Sequence, residues 1–73
     1  MCKLKKEKAE LILNQVFTTV RLDPSLRLGQ ALFTALPSVT ANLIFATEND
    51  FFYWRDDKRV LEAFYAHCVE DKQ

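Results

Sequence analysis

Glycine occurs once and proline twice in these 73 residues. A fold made of many short strands needs more of both, because these residues supply most tight-turn conformations. Their scarcity argues against an all-β fold and favours helices with few connections. At this length the chain, residues 1–73, is expected to be one helical domain, because a second hydrophobic core would not fit.

A surplus of positive charge is also missing, because ten basic residues balance ten acidic ones. Proteins that bind nucleic acid usually carry such a surplus, since phosphate contacts supply much of their affinity. A helix-turn-helix centred on Pro37 would use residues 39–46 for recognition, and this stretch contains neither Lys nor Arg. Nucleic acid is therefore an unfavoured partner, and a small transcriptional regulator is kept only as an alternative.

No apolar run approaches the roughly 20 residues that a helix needs to span a bilayer. The basic start is followed by a stretch that Glu10, Asn14 and Gln15 interrupt, with no small-residue cleavage site of a signal peptide. We therefore expect a cytoplasmic protein with no membrane partner.

Few residues in the sequence are candidates for catalysis or metal binding. Cys2 and Cys68 lie at opposite ends of the chain, and without a secretory signal reduced thiols are favoured over a bridge. Cys68 adjoins the single histidine, His67, but neighbours on a helix do not face each other. Since no metal-ligand cluster or glycine-rich phosphate loop is visible, we expect no metal, no cofactor and no enzymatic activity.

Four carboxylates bracket an aromatic run, and paired carboxylates can serve glycoside hydrolysis. A chain of this size has no cleft that could bury most of a sugar, so capping roles are favoured for them. These carboxylates are Glu48, Asp50, Asp56 and Asp57.

Apolar residues repeat mostly with helical spacing, in which positions i, i+3, i+4 and i+7 share one face. Residues 39–46 also alternate like a strand, but no second strand is evident, so a short helix is predicted. The predicted fold class is all-α, a compact bundle of about four helices at roughly 4–21, 24–36, 39–46 and 57–69. The stripes are Ala9, Ile12, Leu13, Val16, Phe17 and Val20, then Leu28, Ala31, Leu32, Ala35 and Leu36, then Val60, Leu61, Phe64 and Cys68.

Polar residues mark the expected helix starts. Asp23 before Pro24 predicts an N-cap with proline at the first helical position. Ser38 is expected to cap the third helix, and Asp56 or Asp57 the fourth. Gly29 weakens a helix by about 1 kcal/mol relative to Ala, which indicates close approach of a neighbouring backbone.

Four consecutive aromatic residues follow the third predicted helix. Aromatic residues and Arg are enriched in protein interfaces, but four consecutive side chains cannot share one face of a helix or strand. Some should therefore pack in the core while one or two remain exposed. One interpretation is closure of the bundle, and the other is a partner-binding site made of Phe51, Phe52, Tyr53, Trp54, Arg55, Asp56 and Asp57.

Two segments carry a resemblance, RLGQALFTAL at 27–36 and ATENDFFY at 46–53, with Asp56 beyond them. They resemble a pattern of small uncharacterised phage and mobile-element proteins, over residues 27 to about 64. The chain has Phe51 where that pattern has proline, and Ala46 where it has glycine. The resemblance implies a phage or mobile-element origin and no functional residue.

The favoured hypothesis is a small helical protein–protein interaction module. With the resemblance, it becomes a phage-type modulator or inhibitor that binds a host protein through residues 51–54. Small domains bury a low fraction of their surface and are often supported by oligomerisation. A purely structural homodimer, in which the aromatic residues meet their own copy, is therefore a further alternative.

Overall fold

Residues 3–70 are described by the structure, a computed structural model, and they confirm the predicted all-α fold class. Helix α2 is central, because it packs against both α1 and α4. The bounds are α1 Lys6–Leu22, α2 Leu28–Ala35, α3 Ser38–Ala41 and α4 Asp57–Cys68.

The core is built from the predicted stripes. Each buried large apolar side chain contributes about 1.5–3 kcal/mol relative to an exposed one. Two predicted members lie outside the core, because Phe17 is 42% exposed and Ala35 faces solvent. Two others, Val20 and Leu61, are half-buried and pack against the core. The buried members are Ala9, Ile12, Leu13, Val16, Leu28, Ala31, Leu32, Leu36, Val60, Phe64 and Cys68.

The connection from α1 to α2 differs from the prediction. Asp23 Oδ1 accepts hydrogen bonds from the Ser25 amide at 3.2 Å and the Ser25 hydroxyl at 2.6 Å. The Leu26 amide donates to the Asp23 carbonyl at 3.0 Å. Asp23 thus closes a turn instead of capping a helix. Helix α2 begins at Leu28, so the predicted start at Pro24 is wrong.

The third helix is shorter than residues 39–46. It begins at Ser38 and ends at Ala41, and turns continue to Ala46. The N-cap is Pro37, which forms no side-chain cap bond, so the prediction that Ser38 caps this helix is wrong. Instead, the Pro37 carbonyl accepts from the amides of Thr40 at 3.0 Å and Ala41 at 2.9 Å.

The two ends of the described chain form a parallel β-bridge between Leu4 and Val69, where helices were predicted. The Leu4 amide donates to the Cys68 carbonyl at 2.7 Å, and the Glu70 amide donates to the Leu4 carbonyl at 2.7 Å. Leu4 and Val69 are both buried, so the bridge adds apolar contacts as well as hydrogen bonds. Helix α1 therefore begins at Lys6 and α4 ends at Cys68.

Candidate functional site

Gly29 in α2 lets the aromatic run approach the helix. A Cβ at this position would collide with the Phe51 carbonyl oxygen and would lie 3.4 Å from Val60 Cγ2. The predicted close approach of a neighbouring backbone is therefore confirmed. The contact holds the Phe51 backbone against α2, with its side chain fully buried.

The loop before the run is fixed by Asp50. Its Oδ2 accepts from the Ala46 amide at 2.9 Å, and its Oδ1 accepts from the Phe52 amide at 3.1 Å. The Thr47 hydroxyl donates to the Ile44 carbonyl at 2.6 Å and accepts from the Asn49 amide at 3.1 Å. These short-range bonds define the path of residues 46–52. Asp50 therefore fixes a loop and caps no helix, so the capping role that the sequence predicted for its carboxylate is wrong.

The aromatic run divides between core and surface, as expected for four consecutive side chains. Phe51 is fully buried, whereas Tyr53 is 76% exposed. Phe52 and Trp54 are half-buried. The run follows turns instead of a regular element, and the Trp54 amide donates to the Phe51 carbonyl at 3.1 Å. Neighbouring side chains therefore point in different directions.

On one side of the run, Trp54 is already covered. The Arg59 guanidinium carbon lies 4.8 Å from the centroid of a Trp54 ring, a cation–π contact. Asp56 caps α4, because its side chain accepts from the amides of Lys58 at 3.1 Å and Arg59 at 3.4 Å. A groove of about 400 Å³ lies on this side of the run, and its lining residues are Tyr53, Trp54, Arg55, Asp56 and Arg59.

On the other side, aromatic rings from three parts of the chain meet. Phe33 of α2 lies 5.5 Å from Phe52 and 6.4 Å from Phe45, centroid to centroid. Phe52 lies 4.8 Å from Tyr53. With Asp50, these four rings line a groove of about 210 Å³, called here the aromatic groove.

The structure brings together only part of the predicted site. Phe52 and Tyr53 lie in the aromatic groove, whereas Phe51 belongs to the core and Trp54 packs under Arg59. Asp57 is exposed in the first turn of α4, among the residues that line neither groove.

The sequence did not predict Phe33 or Phe45 as members of the site. In the structure both line the aromatic groove, and Phe45 is 62% exposed. Five of the nine aromatic residues lie between Phe45 and Trp54, and this density was the available signal for Phe45. No comparable local signal marked Phe33, which lies much earlier in the chain.

Cys68 is a free, buried thiol at the end of α4. Burial raises its pKa from 9.0 to about 11, and the charge of Lys3 opposes this effect. A thiol needs deprotonation to act as a nucleophile, so Cys68 contributes packing at neutral pH. The other predicted free thiol, Cys2, lies outside the described residues.

Within residues 3–70, no group of three or more His, Cys, Asp or Glu side chains is placed to hold a metal ion. In the same part of the chain, no helix has the length and apolar character needed to cross a bilayer.

A further groove of about 360 Å³ lies between α1 and α2, with no charged residue in its lining. Its two threonine hydroxyls donate to backbone carbonyls of their own helices, Thr19 to Gln15 at 2.9 Å and Thr34 to Gln30 at 3.1 Å. The aromatic groove combines exposed rings with a charge and is the stronger candidate.

Comparison with known proteins assigns no relationship to the chain. No family model matches the sequence, and neither a curated protein nor a solved structure matches it significantly.

Proposed function

We propose that this chain is a small helical protein-interaction module whose aromatic groove binds a protein partner. The observation that carries the proposal is the exposure of two rings that line one groove, with Phe45 62% and Tyr53 76% exposed. Single exposed apolar residues are common on protein surfaces, whereas exposed apolar residues grouped in one patch mark binding sites. Tyr is also a residue type that often dominates binding energy at interfaces.

The support beneath the groove favours binding with little ordering cost. Phe33 projects from α2, and its ring lies 6.3 Å from the buried Phe51 ring at 80°. Asp50 fixes the backbone that carries Phe52. A surface held in place before binding loses less conformational entropy on association, which leaves more of the contact energy as affinity.

A phage-type modulator is the specific form of the proposal. Its basis is the resemblance of residues 27–36 and 46–53 to the phage and mobile-element pattern. Such a protein would inhibit a host protein by covering part of its surface, and this needs no catalytic group in the groove.

Affinity capture from a lysate of the cell that carries the gene tests the proposal. The bait proteins are the wild type, the double variant Phe45→Ala/Tyr53→Ala and the control Tyr65→Ala. Tyr65 is 42% exposed on α4, outside the groove. We expect a protein that the wild type and control retain and the double variant loses, while all three melt at similar temperatures by circular dichroism.

Loss of the partner by the Tyr65 control as well, or retention by the double variant, would contradict binding through the groove. A homodimer is the second arrangement that these exposed rings support. Light scattering over a dilution series separates it from a monomer, because the Phe45→Ala/Tyr53→Ala variant should dissociate a dimer formed through the groove.

A further inference from the structure

The lining of the aromatic groove has the composition of a site for an organic cation. It consists of four aromatic rings and one carboxylate, Asp50, with no Lys or Arg among the lining residues. The faces of aromatic rings are electrostatically negative and attract cations, and a carboxylate adds a full opposite charge. The arginines of the neighbouring segment, Arg55 and Arg59, line the other groove.

The chain already uses this chemistry on an adjacent ring. Among residues 3–70, the single cation–π contact is the one between Arg59 and Trp54. The four rings of the aromatic groove have no such cation from the described chain. No cation of the described chain therefore competes with an external one for the exposed rings, Phe45 and Tyr53.

The ring geometry forms walls instead of a flat stack. The planes of Phe33 and Phe52 meet at 83°, those of Phe52 and Tyr53 at 67°, and those of Phe33 and Phe45 at 48°. Ligand sites for drug-sized molecules are about 300–1,000 Å³, whereas this groove is about 210 Å³. It therefore suits the end of one side chain more than a cofactor.

Asp50 is held in place while it keeps capacity for a cation. Each of its carboxylate oxygens accepts one backbone hydrogen bond, from Ala46 and from Phe52. An ionised carboxylate has about four acceptor sites, so further donors can bind. Glu48, two residues earlier in the same loop, is exposed and gives this segment a second carboxylate.

We infer that a basic segment of the protein partner places an arginine or lysine side chain in the aromatic groove, against Asp50. The inference rests on the proposed function and specifies the partner's chemistry. Arginine is the stronger form, because its planar guanidinium can stack on a ring and donate to a carboxylate.

Paired peptides test the charge requirement on the full chain. The peptides are acetyl-Gly-Arg-Gly-amide and its citrulline counterpart, which has nearly the same shape without the charge. Titration is followed by NMR through the side-chain signals of Phe45 and Tyr53 and the Asp50 amide. We expect saturable binding of the arginine peptide, at least about threefold tighter than the citrulline peptide, from a partly exposed cation–π contact plus the carboxylate.

Leucine variants separate ring electrostatics from apolar contact. Tyr53→Leu and Phe45→Leu keep an apolar side chain and remove the ring, and each should weaken arginine binding by about two- to fivefold. Tyr65→Leu, outside the groove, should leave the affinity unchanged. All three sites are exposed, so the variants should fold like the wild type.

Equal binding of the two peptides, or equal affinity in the wild type and both groove variants, would overturn the inference. The proposed function fails separately, in the lysate capture. A captured partner that depends on Phe45 and Tyr53, yet is not displaced by the arginine peptide at saturating concentration, would refute the cationic contact and leave the protein-binding proposal intact.

Discussion

Ala46 is a strained residue in the loop whose Asp50 lines the aromatic groove. Its φ of 62° lies in the left-handed region, where a Cβ costs about 1–2 kcal/mol. Glycine avoids this cost but gains entropy in the unfolded chain, which offsets part of the benefit. Ala46→Gly should therefore raise the free energy of unfolding by about 0.5–1 kcal/mol, measured by urea denaturation.

The matched control is Ala66→Gly, at an exposed position inside α4. Here the alanine is in ordinary helical conformation, so glycine should lower stability by about 1 kcal/mol. The same Ala→Gly substitution should thus raise the free energy of unfolding at position 46 and lower it at position 66. Destabilisation at both would show that Ala46 is not strained in solution.

Gly29 presents the reverse case, because helix propensity and packing oppose each other. In an open helix position, Gly→Ala gains about 1 kcal/mol. At Gly29 the new Cβ would collide with the backbone oxygen of Phe51, and overpacking costs about 1–3 kcal/mol or more. We expect Gly29→Ala to destabilise the protein, with a changed Trp54 fluorescence spectrum as the Phe51–Trp54 segment is displaced.

The adjacent Gln30→Ala serves as the control in the same helix. Gln30 is half-buried in α2, and its replacement adds no atoms, so the fluorescence of Trp54 should not change. A stabilised Gly29→Ala protein would mean that the Phe51 backbone does not rest on α2.

At the scale of elements, α4 depends on its N-cap. Asp56 accepts hydrogen bonds from the amides of Lys58 and Arg59, which have no partner within the helix. Asp56→Ala should cost about 1 kcal/mol. Asp57→Ala removes only a charge from the first turn. The interaction of that charge with the helix dipole contributes about 0.3–1 kcal/mol, so the loss of stability in Asp57→Ala should diminish in high salt. Equal losses in both variants, with equal salt dependence, would contradict a hydrogen-bonded cap at Asp56.

The elements also show what local sequence can predict. Long periodic stripes predicted α1 and α4, because burial of one face decides where a long helix lies. The start of α2 was mispredicted since Asp23 can either cap a helix or close a turn, and the Ser25 hydroxyl favours the turn. The Leu4–Val69 bridge pairs residues from opposite ends of the chain. Single residues carry no strand periodicity, so no local pattern could predict it.

The aromatic groove was predictable only in part for a related reason. The 51–54 run pointed to the right segment, and the division between buried and exposed rings followed from geometry. Phe33 joins the groove because α2 packs beside the run, and that contact depends on Gly29. Which rings from distant segments meet is a tertiary property that residue spacing does not encode.

At the scale of the whole molecule, Cys68 connects folding to pH. It is fully buried, its carbonyl accepts from Leu4, and its pKa is raised to about 11 by burial. The unfolded chain loses this thiol proton near pH 9, before the folded chain does. The stability that the protonated Cys68 thiol contributes is therefore fully present below about pH 9 and is progressively lost up to about pH 11. We expect the free energy of unfolding to fall across this window.

The Cys68→Ala variant isolates this contribution, because the two proteins differ only at this side chain. The variant should be less stable at pH 7, since a fully buried side chain is truncated. The difference in free energy of unfolding between the two proteins should then narrow from pH 9 to pH 11, because only the wild type has a buried thiol whose protonated form stabilises the fold. A constant difference would mean that Cys68 ionises equally well in the folded and unfolded chain, and hence that the contact between the two chain ends does not exclude water.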